Sequence, residues 1–256
     1  PEMLESLFGI IRTGACVVPL NVSVSAEAMA AMIDDCEASA VIASASYVEQ
    51  FDPKKHPQVR LWLAAAETST TTPGSSWNDY ATWLNVTVET SLQNEIDGYK
   101  VAPDALCNII YSSGTTGLPK GIVHTHRRRL DWAYDLAIAL RYHCGARTLC
   151  SLGLYSNISW AGFLSTLLAG GTVVVMEKFE PLAYLGHIAQ YQVSHSQLVP
   201  TMFSRMLKLD EATRRSFDLS TLEVAIHAAA PCPQMVKRQM IEWWGPIIHE
   251  YYGATE

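Results

Sequence analysis

Apolar residues recur along this chain in two alternating periods. Leu4, Leu7, Phe8 and Ile11 repeat at helical spacing and Gly14 closes the segment; residues 15–20 then form a short apolar run that Pro19 stops. Ser25 is placed to cap a helix whose inner face carries Met29, Met32 and Ile33 and which ends near Cys36. The pattern next predicts a strand at 40–43, a short helix from 46, a turn at 53–57 and a strand at 59–64. A Thr/Ser/Gly/Pro-rich loop at 67–76 leads to a short helix at 77–84.

The second half repeats the alternation more regularly. Residues 107–111 and 122–126 read as extended segments. A helix is predicted over 130–142, with Leu130, Tyr134, Leu136, Ala137 and Leu140 as a broad apolar face. Strands follow at 147–154, 172–176, 193–199, 222–226 and 247–250. Helices separate them at 161–168, 182–191, 201–209 and 233–244. Pro200 ends one strand, Gly170-Gly171 makes a turn, and the Trp243-Trp244 pair is expected in a core. Helices alternating with strands in this way imply an α/β fold of layered βα sheets.

Composition narrows the class. With 49% hydrophobic and 17% charged residues over 256 positions, the chain can bury a large core and is not disordered. A net charge of -7 gives no electrostatic footprint for nucleic acid. Arg127-Arg128-Arg129 is a local exception, read as the solvated start of a helix. Six scattered cysteines without a CxxC pair point to buried free thiols in a reducing compartment. The most apolar stretch, 158–176, is interrupted by Ser159, Ser165, Thr166 and Gly170-Gly171, so it reads as helix, turn and strand and not as a membrane span. His124 and His126 share one strand face without a third ligand spaced nearby, which argues against a metal centre there. These features describe a soluble cytoplasmic enzyme.

Candidate chemistry concentrates after the 107–111 strand. Ser112, Ser113, Gly114, Thr115, Thr116 and Gly117 are six consecutive small residues, followed by Leu118, Pro119, Lys120 and Gly121. Such a run has no side chains to bury. Its glycines, N–H groups, hydroxyls and nearby lysine suit phosphate oxygens. It is not the Walker pattern, in which Lys directly follows Gly and precedes Ser or Thr.

Tyr111 to Gly121 resembles the phosphate-loop signature of the adenylate-forming (AMP-binding) superfamily, which includes acyl- and aryl-CoA ligases, luciferases and peptide-synthetase adenylation domains. Tyr251-Tyr252-Gly253-Ala254-Thr255-Glu256 resembles its second adenylate-binding motif. His227-Ala228-Ala229-Ala230-Pro231-Cys232 is similar to its adenine-edge segment, where Gly-Gly-Ala-Pro is more usual. The resemblance implies an internal part of the large N-terminal domain of acyl-CoA-synthetase-like enzymes, incomplete, with approximate subregions 1–146 and 147–256. It implies an acid–thiol ligase using ATP, Mg²⁺ and coenzyme A. Ser112 to Gly117 and Lys120 would hold the β- and γ-phosphates, and Tyr252 would stack on adenine. Ala229, Ala230 and Pro231 would border the ring beside Gly253. Thr255 would donate to the α-phosphate, while Glu256, with Thr116, would hold Mg²⁺.

For the acid, resembling families commonly carry Pro-Leu-Phe-His after the strand that ends near residue 154. This chain has Gly153-Leu154 and sets Tyr155 at the histidine position. Tyr155, Trp160, Ala228 and Gly253 are the expected pocket residues, with Trp160 better suited to a core. No carboxylate stands at 154–156, which argues against an amino-acid substrate. Two other readings remain open, an adenylation domain loading a carrier protein and a nucleotide-binding module without catalysis. The resemblance further implies a ribose-binding aspartate and a small C-terminal catalytic domain to which no residue here can be assigned. The chain is therefore expected to be inactive, or nearly so, alone. Small-molecule acid and coenzyme A are the expected partners, with no nucleic acid and no stable membrane insertion, and the oligomeric state is left open.

Overall fold

In the computed structural model, residues 2–65, 76–85, 100–112, 119–253 and 255 are described. They fall into two compact units, Pro1–His126 and Arg127–Glu256. The 67–76 loop lies almost wholly outside the described residues.

In the first unit, α1 (Glu2–Arg12) and α2 (Ala26–Asp35) follow the helical periodicity. The Ser25 hydroxyl accepts from Ala28 N–H at 3.2 Å, satisfying one of the free donors at the start of α2. Strands β1 (Ala40–Ser44), β2 (Leu61–Ala65) and β3 (Asn78–Asp79) form a parallel sheet in that order. Met29 and Ile33 of α2 pack with Val41, Trp62, Ala64 and Trp77 to make its core. The helix predicted over 77–84 is shorter, because Asn78 and Asp79 pair with β2 and the Asp79 carboxylate caps α3 (Tyr80–Leu84) through Thr82 N–H. Among the described residues the apolar run at 15–20 makes a single bridge, Val17 to Asn108, since Pro19 cannot donate to a ladder. The segment from residue 45 is a 3₁₀ turn, Ala45–Gln50. Strands β4 (Leu106–Ser112) and β5 (Lys120–Thr125) form an antiparallel hairpin.

The second unit opens on α4 (His126–Ala139) and holds five parallel strands. These are β6 (Arg147–Cys150), β7 (Thr172–Val175), β8 (His195–Leu198), β9 (Val224–His227) and β10 (Ile248–Glu250), in the spatial order β10-β9-β8-β6-β7. Helices α5 (Asn157–Leu168), α6 (Pro181–Tyr191), α7 (Pro200–Leu207), α8 (Glu211–Arg215) and α9 (Gln234–Trp244) connect them. Period-two alternation divides the strands between two cores. Leu149 and Leu198 join Tyr184, Leu185, Ile188, Phe203 and Met240 from α6, α7 and α9. Val224 and Ile226 join Leu136, Ala137 and Leu140 from the α4 segment. Helices thus cover both faces, as an all-parallel sheet requires.

The interior of this unit is polar for a parallel sheet, and several of its hydroxyls are hydrogen-bonded. Thr166 Oγ1 donates to Gly162 O at 2.6 Å and accepts from Thr148 at 2.5 Å. His195 is buried between Ser194 Oγ (2.8 Å) and Leu140 O (3.1 Å), a pattern that a neutral ring satisfies by donating from Nε2 and accepting at Nδ1.

Three expectations from the sequence are corrected here, one each on the apolar face of α4, on Arg129 and on the cysteines. Leu130, Tyr134 and Ile138 of α4 are exposed, while Arg129, expected in solvent, is buried at 4%. Its guanidinium lies 4.9 Å from the Trp160 ring and 5.2 Å from Trp132, and it donates to Asn157 Oδ1 at 2.6 Å. Cation–π contact on two indoles supplies what the apolar pattern could not foresee. All six cysteines are free, but only Cys107 and Cys150 are buried, and Cys144 is exposed. Burial pushes the Cys150 thiol up to about 12, so it is no nucleophile at neutral pH. No helix among the described residues is long and apolar enough to cross a membrane.

Candidate functional site

Strand order locates the site before any residue is considered. Counted along the chain, the second unit's strands run 2-1-3-4-5, so the connections after β6 and β8 leave in opposite directions. Ligands of such sheets bind outside the carboxyl ends of the strands at this switch point. Three segments emerge along that edge: Ser151 to Ser156 after β6, Ala228 to Pro231 after β9, and Tyr251 to Gly253 after β10.

The first of these is held from below by α5. Ser159 Oγ is 3.0 Å from both Leu152 O and Gly153 O, and Trp160 Nε1 donates to Leu154 O at 2.8 Å. Trp160 is fully buried and supports the loop from the interior. Tyr155 is half-buried and its ring lies on Gly153, where an added Cβ would come within 2.2 Å of it. Only glycine allows that ring position.

In the second segment Ala228 is buried, whereas Ala229, Ala230 and Pro231 are exposed. Ala229 has φ = +70°, a left-handed conformation that costs a side-chain-bearing residue about 1–2 kcal/mol. It presents its backbone and a single methyl to the edge of the sheet. In the third segment Tyr252 and Gly253 are exposed, and Thr255 is half-buried. Ala254 and Glu256 lie outside the described residues.

One side chain that sequence reasoning missed ties this edge together. Gln197, on β8, accepts from Gly162 N–H at 3.0 Å and donates to Ile158 O at 2.8 Å and Tyr251 Oη at 3.1 Å. It thereby joins the first turns of α5 to the residue preceding Tyr252. Burial pushes the Tyr251 phenol up to about 12, so it stays protonated. A second missed residue is His227, buried at the end of β9 with neither ring nitrogen hydrogen-bonded. Its nearest carboxylate oxygen, Glu250 Oε1, is 3.9 Å away, the other oxygen of that carboxylate pairs with Lys237, and burial lowers the imidazole's pKa. The signal for both was available, since a polar residue inside a four-residue strand flanked by apolar runs must have a reason to be buried.

In the first unit, Ser112 ends β4 directly opposite Lys120, the first residue of β5. The small-residue run is thus the connection of a hairpin whose mouth carries a hydroxyl and an exposed ammonium. Ser113, Gly114, Thr115, Thr116 and Gly117 lie outside the described residues. Below the mouth, the Tyr111 hydroxyl donates to Asp35 Oδ2 at 2.6 Å, with Met32 O at 3.2 Å, fixing the hairpin to the end of α2. Gly121 leaves room for the Tyr111 ring, which a Cβ would approach to 3.2 Å. Among the described residues no group of three or more His, Cys, Asp or Glu side chains could hold a metal ion.

A family model described as AMP-binding enzyme matches residues 1–256. The chain belongs to the AMP-binding enzyme family. Within that family it is 30% identical over 162 residues to a probable CoA ligase, CCL5, of Humulus lupulus, a match covering 62% of this chain and 29% of the relative. It is 28% identical over 259 residues to the indoleacetate–CoA ligase of Aromatoleum aromaticum, covering 100% of this chain and 48% of that one. The solved anthranilate CoA ligase AuaEII, in complex with anthranoyl-AMP, matches with a TM-score of 0.82 at 20% identity, over 100% of this chain and 47% of that one, a likeness of fold. The chain spans less than half the length of each of these relatives.

Proposed function

We propose that this chain is the nucleotide-binding part of an ATP-dependent acid–thiol ligase. In that reaction a carboxylate attacks the α-phosphate of ATP, giving an acyl-adenylate and pyrophosphate. The thiol of coenzyme A then displaces AMP and releases a proton, leaving the thioester. The observation that carries the reading is the edge formed by β9 and β10. The small-residue segment at 228–231 and the segment from Tyr251 to Gly253 leave the carboxyl ends of adjacent parallel strands, in a chain matched end to end by the AMP-binding family.

The attacking carboxylate is already a nucleophile, so the protein's task is to hold the nucleotide and neutralise charge. Ser112 to Gly117 and Lys120 cradle the β- and γ-phosphates and the departing pyrophosphate. Tyr252, fully exposed here, offers its ring to adenine, with Ala229, Ala230 and Pro231 along the ring's edge. Thr255 donates to the α-phosphate. Glu256 and Thr116 supply the oxygen donors that Mg²⁺ prefers, and the ion would relieve repulsion among the phosphate oxygens. Tyr155, Ala228 and Gly253 border the acid, with Trp160 behind them, which favours a hydrophobic acyl or aryl group. Solved relatives support the nucleotide, since one is described as ATP-bound MatB from Rhodopseudomonas palustris. The proposal includes a reducing, cytoplasmic setting, supported by six free thiols, and treats residues 1–256 as an internal part of the N-terminal AMP-binding domain.

The test is AMP release by the full-length gene product with ATP, Mg²⁺ and coenzyme A across short, medium, long-chain and aromatic acids. Release that needs both acid and coenzyme A is expected. Release that needs acid but ignores coenzyme A would replace it by another acceptor, such as a carrier protein. No acid-dependent release across the panel would contradict the reading.

A further inference from the structure

A cleft of about 330 Å³ opens at the opposite end of the same sheet. The segment from α8 into β9 and the segment from α9 into β10 form its walls, so it lies at the amino ends of these strands. Its size falls at the lower end of the roughly 300–1,000 Å³ range of small-molecule sites. The Trp243-Trp244 pair packs against the core, as expected, and also lines the cleft with Phe217 and Ile247, and Arg214 and Arg215 lie at the same cleft. Both indoles are only half-buried, with ring centroids 5.5 Å apart.

The charges around it are unevenly matched. Arg215 pairs with Glu211 at 2.5 Å. Asp210 is occupied by Thr213 N–H and Oγ1, and Asp218 accepts from Ser220 N–H. These hydrogen bonds hold both aspartates below the usual carboxylate range, so they are spoken for as anions. No carboxylate among the described residues reaches Arg214, whose guanidinium sits 5.2 Å from the Trp243 ring. Arg214 Nε and Trp244 Nε1 are both buried without a hydrogen-bond partner among the described residues. Buried donors without acceptors are uncommon in native proteins and call for a missing partner.

We propose that this cleft binds a small aromatic anion, its carboxylate or sulfonate held by the Arg214 fork and its ring laid against Trp243, Trp244 and Phe217. A guanidinium matches a planar carboxylate bidentately, and stacking on an indole keeps it oriented at low entropic cost. An apolar ligand would leave the arginine unanswered, and a compact inorganic anion would leave the aromatic walls bare. The site is separate from the nucleotide edge. Strands β9 and β10 lie between them, about 10 Å of extended backbone at the usual rise per residue, so the two can be occupied together.

The probe is 2-naphthoate, titrated into the chain with quenching of tryptophan fluorescence as the readout, beside the uncharged 2-naphthamide of the same shape. Saturable quenching by the acid is expected, with the amide at least about tenfold weaker, in keeping with the strength of hydrogen bonds to charged groups. Arg214→Gln should weaken naphthoate by a similar factor while leaving the thermal midpoint unchanged, and Arg214→Lys should fall between. Equal binding of acid and amide, naphthoate binding insensitive to Arg214→Gln, or no saturable quenching would each overturn the proposal. The proposed acid pocket beside Tyr155 also takes aryl acids, so the Arg214 variants, compared at an unchanged thermal midpoint, assign the quenching to this cleft, and Arg214→Lys serves where Arg214→Gln fails to fold.

Discussion

Ala229 occupies a left-handed conformation, φ = +70°, that glycine adopts freely. It is exposed and carries only a methyl, so Ala229→Gly removes strain without opening a cavity. The glycine's greater unfolded-state freedom offsets part of the relief, leaving a net gain of roughly 0.5–1 kcal/mol. Urea denaturation should show a higher midpoint for the variant, and an unchanged or lower one would mean the conformation is unstrained. Two buried histidines give a pH dependence whose sign is fixed by the same reasoning. Burial is the leading cause that lowers the pKa of both His195 and His227 below the ordinary 6.5, against the raising influence of Glu223 on one and Glu250 on the other. His143 and Arg141 near His195, and Lys237 near His227, push the same way as burial. Between these lowered values and 6.5 the unfolded chain binds more protons, so stability is full above 6.5 and declines as pH falls below it. The carboxylates held low by hydrogen bonds, such as Asp34 and Asp79, lose their contribution only at more acidic pH. The denaturation midpoint should therefore drop between pH 7 and 5, and less so in His227→Leu. A midpoint flat across that window would contradict the burial argument.

At the scale of elements, Gln197 is where strand, helix and candidate site meet. Replacing it by leucine leaves the Ile158 carbonyl, the Gly162 N–H and the Tyr251 hydroxyl short of a partner, at about 1–3 kcal/mol for each group left buried and unsatisfied. In a double-mutant cycle with Tyr251→Phe, the two substitutions should couple by about 0.5–3 kcal/mol. Simple additivity would show that the contact does not organise the edge. The strands of the second unit were readable because runs such as Thr172–Val175 and Val224–His227 are bounded by turn residues or prolines. Helix faces were less readable. In α4 the residues that look outermost by charge and innermost by hydropathy exchange places, since Arg129 finds two indoles and an asparagine while Leu130 and Tyr134 face outward. Trp160 and Asn157 lie on α5, which a one-dimensional period does not register, and Trp132 lies one turn along α4 from Arg129. Tyr111 shows the converse case: its place before the small-residue run was legible, while its hold on Asp35 depends on a contact far away in sequence.

For the whole molecule, the family and the α/β class were legible because the chemistry-bearing motifs are contiguous. Tyr111 to Gly121 and Tyr251 to Glu256 each need only a strand to deliver them, and β4, β5 and β10 do so. The cleft at the other end of the sheet was not legible, because Arg214 and Trp243 come from helices brought together only by the order of β9 and β10. The proposed role of the nucleotide edge is to support adenylate formation, with Lys120 at the hairpin mouth supplying charge. The most direct measurement is exchange of labelled pyrophosphate into ATP by the full-length gene product, with and without its preferred acid, in the wild type and in Lys120→Ala. Lys120 is exposed, so the variant should fold unchanged. Acid-dependent exchange is expected, falling by about tenfold or more in the variant through loss of a charge-neutralising donor. Acid-independent exchange, or full exchange without the Lys120 ammonium, would contradict that role.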